Sequence, residues 1–119
     1  MENQNYILNK SKAFALRIIN LYKYLYESAN IYPIAKQILR SGTSIGANAR
    51  EAVRGQSKPD FYSKLGIALK EAEETEYWLE LLHESEYIST KQFESIYCDC
   101  DELIKLLVSI TKTQKNNNS

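Results

Sequence analysis

Apolar positions recur along this chain at spacings of three and four, the period of a helix buried on one face. Phe14, Ile18, Leu21 and Leu25 step by four, three and four, and Ile19, Tyr22 and Tyr26 widen that stripe, so a first helix is expected over about Ser11 to Asn30. Ile34, Ile38, Ser41, Ile45, Asn48 and Ala52 keep the rhythm in a second helix from about Pro33 to Arg54. Pro33 suits a first turn, where its missing N–H would be unpaired anyway. Phe61, Leu65, Ala68, Ala72, Thr75, Leu79 and Leu82 carry a third helix. Ser57 or Lys58 caps it, Pro59 follows early, and Asp60 places a negative charge at the positive helix end. The fourth starts after Ser89, which has Gln92 at capping-box spacing, and its stripe is Phe93, Tyr97, Cys100, Ile104 and Leu107. Connections this short make neighbours antiparallel. The pattern predicts an all-α fold, an antiparallel up-down four-helix bundle over 11–113, with an N-terminal arm at 1–10 and a disordered tail at 114–119.

Composition narrows the class further. A chain of 119 residues, 44% apolar and 25% charged, fits one soluble domain, and four Gly with two Pro are too few turn residues for an all-β chain. No apolar run approaches the roughly 20 residues that span a bilayer. The polar start Met1–Asn5 lacks a signal-peptide core, and Cys98 and Cys100 cannot build a disulfide framework. A cytoplasmic protein without a membrane partner is therefore expected.

The net charge is zero, but it is unevenly placed. Residues 1–70 hold eleven Lys/Arg against four Asp/Glu, a net of +7, and residues 71–119 hold the reverse, a net of −7. On the second helix Lys36, Arg40, Arg50 and Arg54 fall within about 80° of the wheel, opposite Ile34, Ile38, Ile45 and Ala52. The short residues Thr43 and Ala47 lie on the same line, and Lys58 and Lys64 extend the field from the third helix. A row of cations without interleaved carboxylates suits a phosphate backbone, where each can displace a condensed counterion, and Arg adds bidentate geometry. The competing reading is a solvated face, or one that mates with an acidic face of another subunit. Glu73, Glu76, Glu80 and Glu84 supply such a face on the third helix.

Between the cationic and apolar edges lies a polar seam of Ser41, Ser44, Asn48 and Glu51, which needs hydrogen-bond partners if half-buried. Glu71 and Glu74 on the third helix are the candidate partners, and the seam reads as a network that fixes register. Gly42 and Gly46, four apart, permit close helix approach. The apolar arcs exceed what one bundle needs. Ile96, Tyr97, Leu103, Leu107, Val108 and Ile110 spread over about 160° of the fourth helix. Leu106 falls outside that arc, and Leu16 points away from Phe14. With nine Tyr and one Trp to place, self-association is expected.

Catalytic patterns are not found. His83 is alone in an acidic stretch, and Cys98 and Cys100 point about 200° apart on a helix. There is no glycine-rich phosphate loop, nucleophile elbow or zinc-protease helix. The expectation is a non-enzyme with no cofactor and no metal.

The run Leu39-Arg40-Ser41-Gly42-Thr43-Ser44-Ile45-Gly46-Ala47-Asn48-Ala49-Arg50-Glu51-Ala52 resembles the signature of the bacterial four-helix-bundle family encoded by 23S rRNA intervening sequences, also labelled a ribosomal protein family. Ser57-Lys58-Pro59-Asp60-Phe61 and Leu65-Gly66-Ile67-Ala68-Leu69 match its next blocks, and Glu74, Glu76, Leu79 and Tyr87-Ile88-Ser89 match its third helix and exit. The resemblance spans about residues 8–112. It implies a homopentameric ring and a similarity to the accessory variability protein of diversity-generating retroelements. That protein works with a reverse transcriptase and binds nucleic acid through a basic surface. By that resemblance Arg40 and Lys58 are the matching cationic contacts, whereas Lys36, Arg50 and Arg54 come from the wheel. Two functions are therefore expected to compete. One is RNA or DNA backbone binding by an oligomer through the second-helix stripe, with or without a reverse transcriptase or other protein partner. The other is an assembly or adaptor scaffold whose charged faces only mate subunits.

Overall fold

The computed structural model describes residues 2–117 as four helices. They are α1 (Glu2–Glu27), α2 (Tyr32–Val53), α3 (Lys58–Glu84) and α4 (Thr90–Asn117). Among the described residues there are no strands. Each helix packs on its neighbours in sequence, and α4 returns to α1, which is the up-and-down arrangement. The bundle measures 47 × 22 × 21 Å, as helices of 26 and 28 residues, about 39 and 42 Å long, require.

The local signals that set the helix ends are satisfied as written. Ser57 Oγ accepts from the Asp60 N–H at 3.3 Å. Ser89 and Gln92 close a reciprocal capping box, with Ser89 N–H donating to Gln92 Oε1 at 2.9 Å and Gln92 N–H to Ser89 Oγ at 3.1 Å. The α3 terminus is a Schellman turn in which Tyr87 N–H donates to the Leu82 carbonyl and Glu86 N–H to that of His83. Glu86 takes the left-handed position, φ 66°, that this motif demands.

The first boundary differs from expectation. The first helix begins at Glu2, so residues 2–10 form its opening turns and not a separate arm. Ile7 and Ser11, both buried, continue the Phe14–Ile18–Leu25 stripe toward the N-terminus by the same steps of four and three. Likewise α4 runs on to Asn117, so 114–117 of the expected tail are helical; Met1 and residues 118–119 lie outside the described residues.

The core is one continuous cluster. The α3 stripe from Leu65 to Leu82 is buried at the expected positions. On α2 the buried face is turned: Ala35, Ile38, Gly42, Ile45, Ala49 and Ala52 are inside, while Ile34 and Asn48 are half-buried. The cause is the close approach of α1. A Cβ on Gly42 would lie 2.7 Å from Ile18 Cγ1, and one on Gly46 would lie 3.3 Å from Ser11 Oγ. Both contacts pull the small residues of α2 toward α1. The α1–α4 seam is closed differently, by polar straps. Arg17 Nη1 donates to Asp99 Oδ2 at 2.6 Å and to the Ser95 carbonyl at 3.2 Å, and Lys10 Nζ pairs with Glu102 at 3.2 Å. No described helix is long and apolar enough to cross a membrane.

Candidate nucleic-acid interface

The cationic line on α2 survives folding, but its members meet different neighbours. Arg40 crosses to α3. Its Nη1 donates to Glu71 Oε2 at 3.0 Å, its Nη2 to Glu74 Oε2, and its Nε to Gln37 Oε1 at 3.3 Å. Glu74 also accepts from Trp78 Nε1 at 2.9 Å, so one carboxylate gathers an indole and a guanidinium. Hydrogen bonding to Glu74 is the largest influence holding the Arg40 guanidinium above its ordinary pKa, and Glu71 adds to it against the effect of burial. Burial alone would raise the Glu74 carboxyl. Trp78 and Arg40 together outweigh it and bring the group below its usual range. Arg40 thus serves as a clamp between α2 and α3.

Four of the predicted cations are otherwise disposed. Lys36, Arg50, Arg54 and Lys58 are exposed and form no ion pair among the described residues. Lys64 reaches back from α3 to pair with Glu51 at 3.0 Å. Arg50 and Arg54 stand on the rim of an open groove of about 510 Å³ between α1 and α2. The short residues Ser11, Ala15, Thr43, Gly46 and Ala47 line it, together with Leu8 and Lys12 of α1 and the carboxylate of Glu51, which is drawn to Lys64. Sequence reasoning missed Lys12. Its signal was available in the α1 spacing Leu8, Lys12, Ala15, Ile19, which forms a face of its own, but only pairing with α2 puts it beside Arg50.

The polar seam resolves into local bonds. Ser44 Oγ donates to the Arg40 carbonyl at 2.6 Å, Thr43 Oγ1 to that of Leu39 at 2.7 Å, and Asn48 Nδ2 to that of Ser44 at 2.8 Å. Ser41 and Glu51 reach another helix, Glu51 through its pair with Lys64 and Ser41 through a hydroxyl contact. Ser41 is buried, and its hydroxyl lies 2.8 Å from Thr75 Oγ1, which also lies 2.8 Å from the Glu71 carbonyl. Glu71 and Glu74, expected as partners of the seam, face Arg40 instead, because the register that sets Ser41 against Thr75 brings Arg40 level with them, and Asn48, two turns further along α2, bonds its own helix. The acidic face of α3 is partly occupied within the chain. Glu80 accepts from the Tyr97 hydroxyl at 3.2 Å, and burial, then the nearby charges of Asp101, Glu80 and Glu73, push the Glu76 carboxyl up.

Of the two cysteines, Cys98 is exposed and Cys100 is buried, with its thiol against the Ala72 carbonyl at 3.4 Å and pushed up by burial. Among the described residues, no three His, Cys, Asp or Glu side chains are grouped as metal ligands would be.

Fold and surface together define an all-helical bundle with a cation-rimmed groove along one pair of helices. A family model described as 23S rRNA-intervening sequence protein matches residues 3–109, and the chain belongs to that family. It is also similar to a solved structure, at 1.70 Å, of a protein of unknown function from the S23 ribosomal protein family of Bacteroides thetaiotaomicron VPI-5482. The two are 58% identical, with a TM-score of 0.90, over 92% of this chain and 98% of the other. No curated protein matches the chain.

Proposed function

We propose that this protein is a non-enzymatic, self-associating cytoplasmic bundle that holds the phosphate backbone of RNA or DNA in the α1–α2 groove. The observation that carries this reading is the pair Arg50 and Arg54, exposed and without ion pairs among the described residues, on the rim of a groove that Lys12 also lines. Short floor residues let a backbone approach closely, and Lys36 and Lys58 lengthen the field at either side. Assembly of several copies, a homopentameric ring in the form the family resemblance implies, repeats a modest patch and raises avidity without new contacts.

The test is a titration of labelled RNA against wild type and the double variant Arg50→Glu/Arg54→Glu, with particle mass followed by light scattering. Wild type binds with affinity that falls steeply as salt rises, and the double variant loses binding while its mass is unchanged. Full binding by the double variant removes the groove from consideration. A scaffold reading has its own support in exposed apolar side chains such as Leu16, Ile67, Tyr77 and Val108. It holds if charge reversal dissociates the assembly and wild type binds no RNA.

A further inference from the structure

The α1–α2 face does not end at the cations. On α1 the positions Leu8, Lys12, Ala15, Ile19, Tyr22 and Tyr26, with Lys12 and Tyr26 exposed and the others half-buried, follow one another by four, three, four, three and four. They therefore form a single line from the groove to the loop that joins the helices. On α2 the line of Arg54, Arg50, Ala47, Thr43, Arg40 and Lys36 arrives at Tyr32 at that same loop, roughly 33 Å from Arg54, with only Arg40 turned aside to Glu71 and Glu74 of α3. The helices are antiparallel, so the two lines converge there in an aromatic group. Tyr26 and Tyr32 have ring centroids 4.8 Å apart at an interplanar angle of 55°, and Tyr22 lies 5.6 Å behind Tyr26. Tyr32 is steadied by its hydroxyl, which donates to Asn30 Oδ1 at 3.1 Å. Both outer rings are 43% exposed, and their own chain leaves them uncovered to that extent.

Resting on the reading of the groove as a backbone site, we propose that Tyr26 and Tyr32 form a platform for unpaired bases, so that the occupant of this face is single-stranded nucleic acid. Cations alone accept a duplex or a single strand equally. Exposed aromatic rings in line with them discriminate, because the base faces of a duplex are stacked inside it and only an unpaired base can lie on a ring. Every base has such a face, so the platform is tolerant of sequence. Lys36, one turn from Tyr32 on the same line, meets the phosphate that follows the stacked base.

The experiment uses the full chain and fluorescence anisotropy with a labelled 20-nucleotide oligouridine and a labelled 20-base-pair RNA duplex at one salt concentration. Wild type prefers the single strand by about tenfold or more. Tyr26→Ala/Tyr32→Ala lowers single-strand affinity by about tenfold, leaves duplex affinity and particle mass unchanged, and Tyr26→Phe/Tyr32→Phe restores stacking. Equal affinity of wild type for the two ligands overturns the proposal, as does undiminished single-strand binding by the alanine variant. In both cases the groove reading stands if Arg50→Glu/Arg54→Glu still abolishes binding. A change of particle mass in the alanine variant identifies the tyrosines as a contact between copies and overturns the platform. Failure of wild type to bind either ligand overturns the groove reading and the platform together.

Discussion

Arg40 and Arg50 lie on one line of α2, ten residues apart, and are of the same chemical type. Their surroundings make them different groups. Arg40 stands where α3 offers Glu71 and Glu74 within reach, and it spends its donors inside the chain. Arg50 stands over the α1–α2 groove, where the one lining carboxylate, Glu51, is paired with Lys64, and it is exposed without an ion pair among the described residues. A cation is left free to meet a ligand when its own fold gives it no carboxylate partner, and helical position alone does not say which cations those are.

Charge reversal tests that contrast most strongly. Arg40→Glu places a third carboxylate against Glu71 and Glu74 and is expected to cost about 2 kcal/mol of stability in urea unfolding, the lost exposed pair plus the new repulsion. Arg50→Glu is expected to change stability by less than about 0.5 kcal/mol. Affinity reverses the order. Arg50→Ala weakens RNA binding about fivefold and shortens the salt dependence by roughly one phosphate contact, whereas Arg40→Ala changes affinity by less than about twofold.

Acid titrates one side of the contrast only. Glu74 is held below its usual pKa in the folded chain, so its contribution is present above the ordinary carboxylate range and is lost as pH falls through its folded value. The stability difference between wild type and Arg40→Gln, about 1 kcal/mol or less at pH 7, is therefore expected to shrink progressively in urea melts as pH falls below the ordinary carboxylate range. The smallest expected effect is at Glu51. Glu51 lines the groove with Arg50 and Arg54 and pairs with Lys64, so Glu51→Gln removes a carboxylate from the groove and frees Lys64, raising RNA affinity about twofold with a stability change under about 0.5 kcal/mol.

Much of the fold could be read from spacing. The Leu65–Leu82 stripe, the Ser89–Gln92 box and the Gly42–Gly46 approach all stand where periodicity and end chemistry place them. The polar residues Glu2–Asn5 and Asn9–Lys12 concealed the first turns, because Ile7 lies in the short run Tyr6-Ile7-Leu8 between them and gains meaning only as the step before Ser11 and Phe14. The site was legible in part. Arg50 and Arg54 are exposed, as the wheel requires, but Lys12 and Tyr26 belong to a different helix from the stripe and join it only through the α1–α2 pairing.

Periodicity and end signals are local properties, so the residue order was sufficient for four helices, the buried stripe of α3 and the family to which the chain belongs. The buried face of α2, in contrast, is turned, and that of α4 runs through Ile96, Cys100, Leu103 and Leu107 with Phe93, Tyr97 and Ile104 half-buried. Which cations are neutralised was settled by packing. Reach between helices depends on interaxial distance and register, and these follow from small residues such as Gly42 meeting Ile18 across the bundle. The same register brings Glu71 and Glu74 to Arg40 and leaves Arg50 over a groove of short side chains.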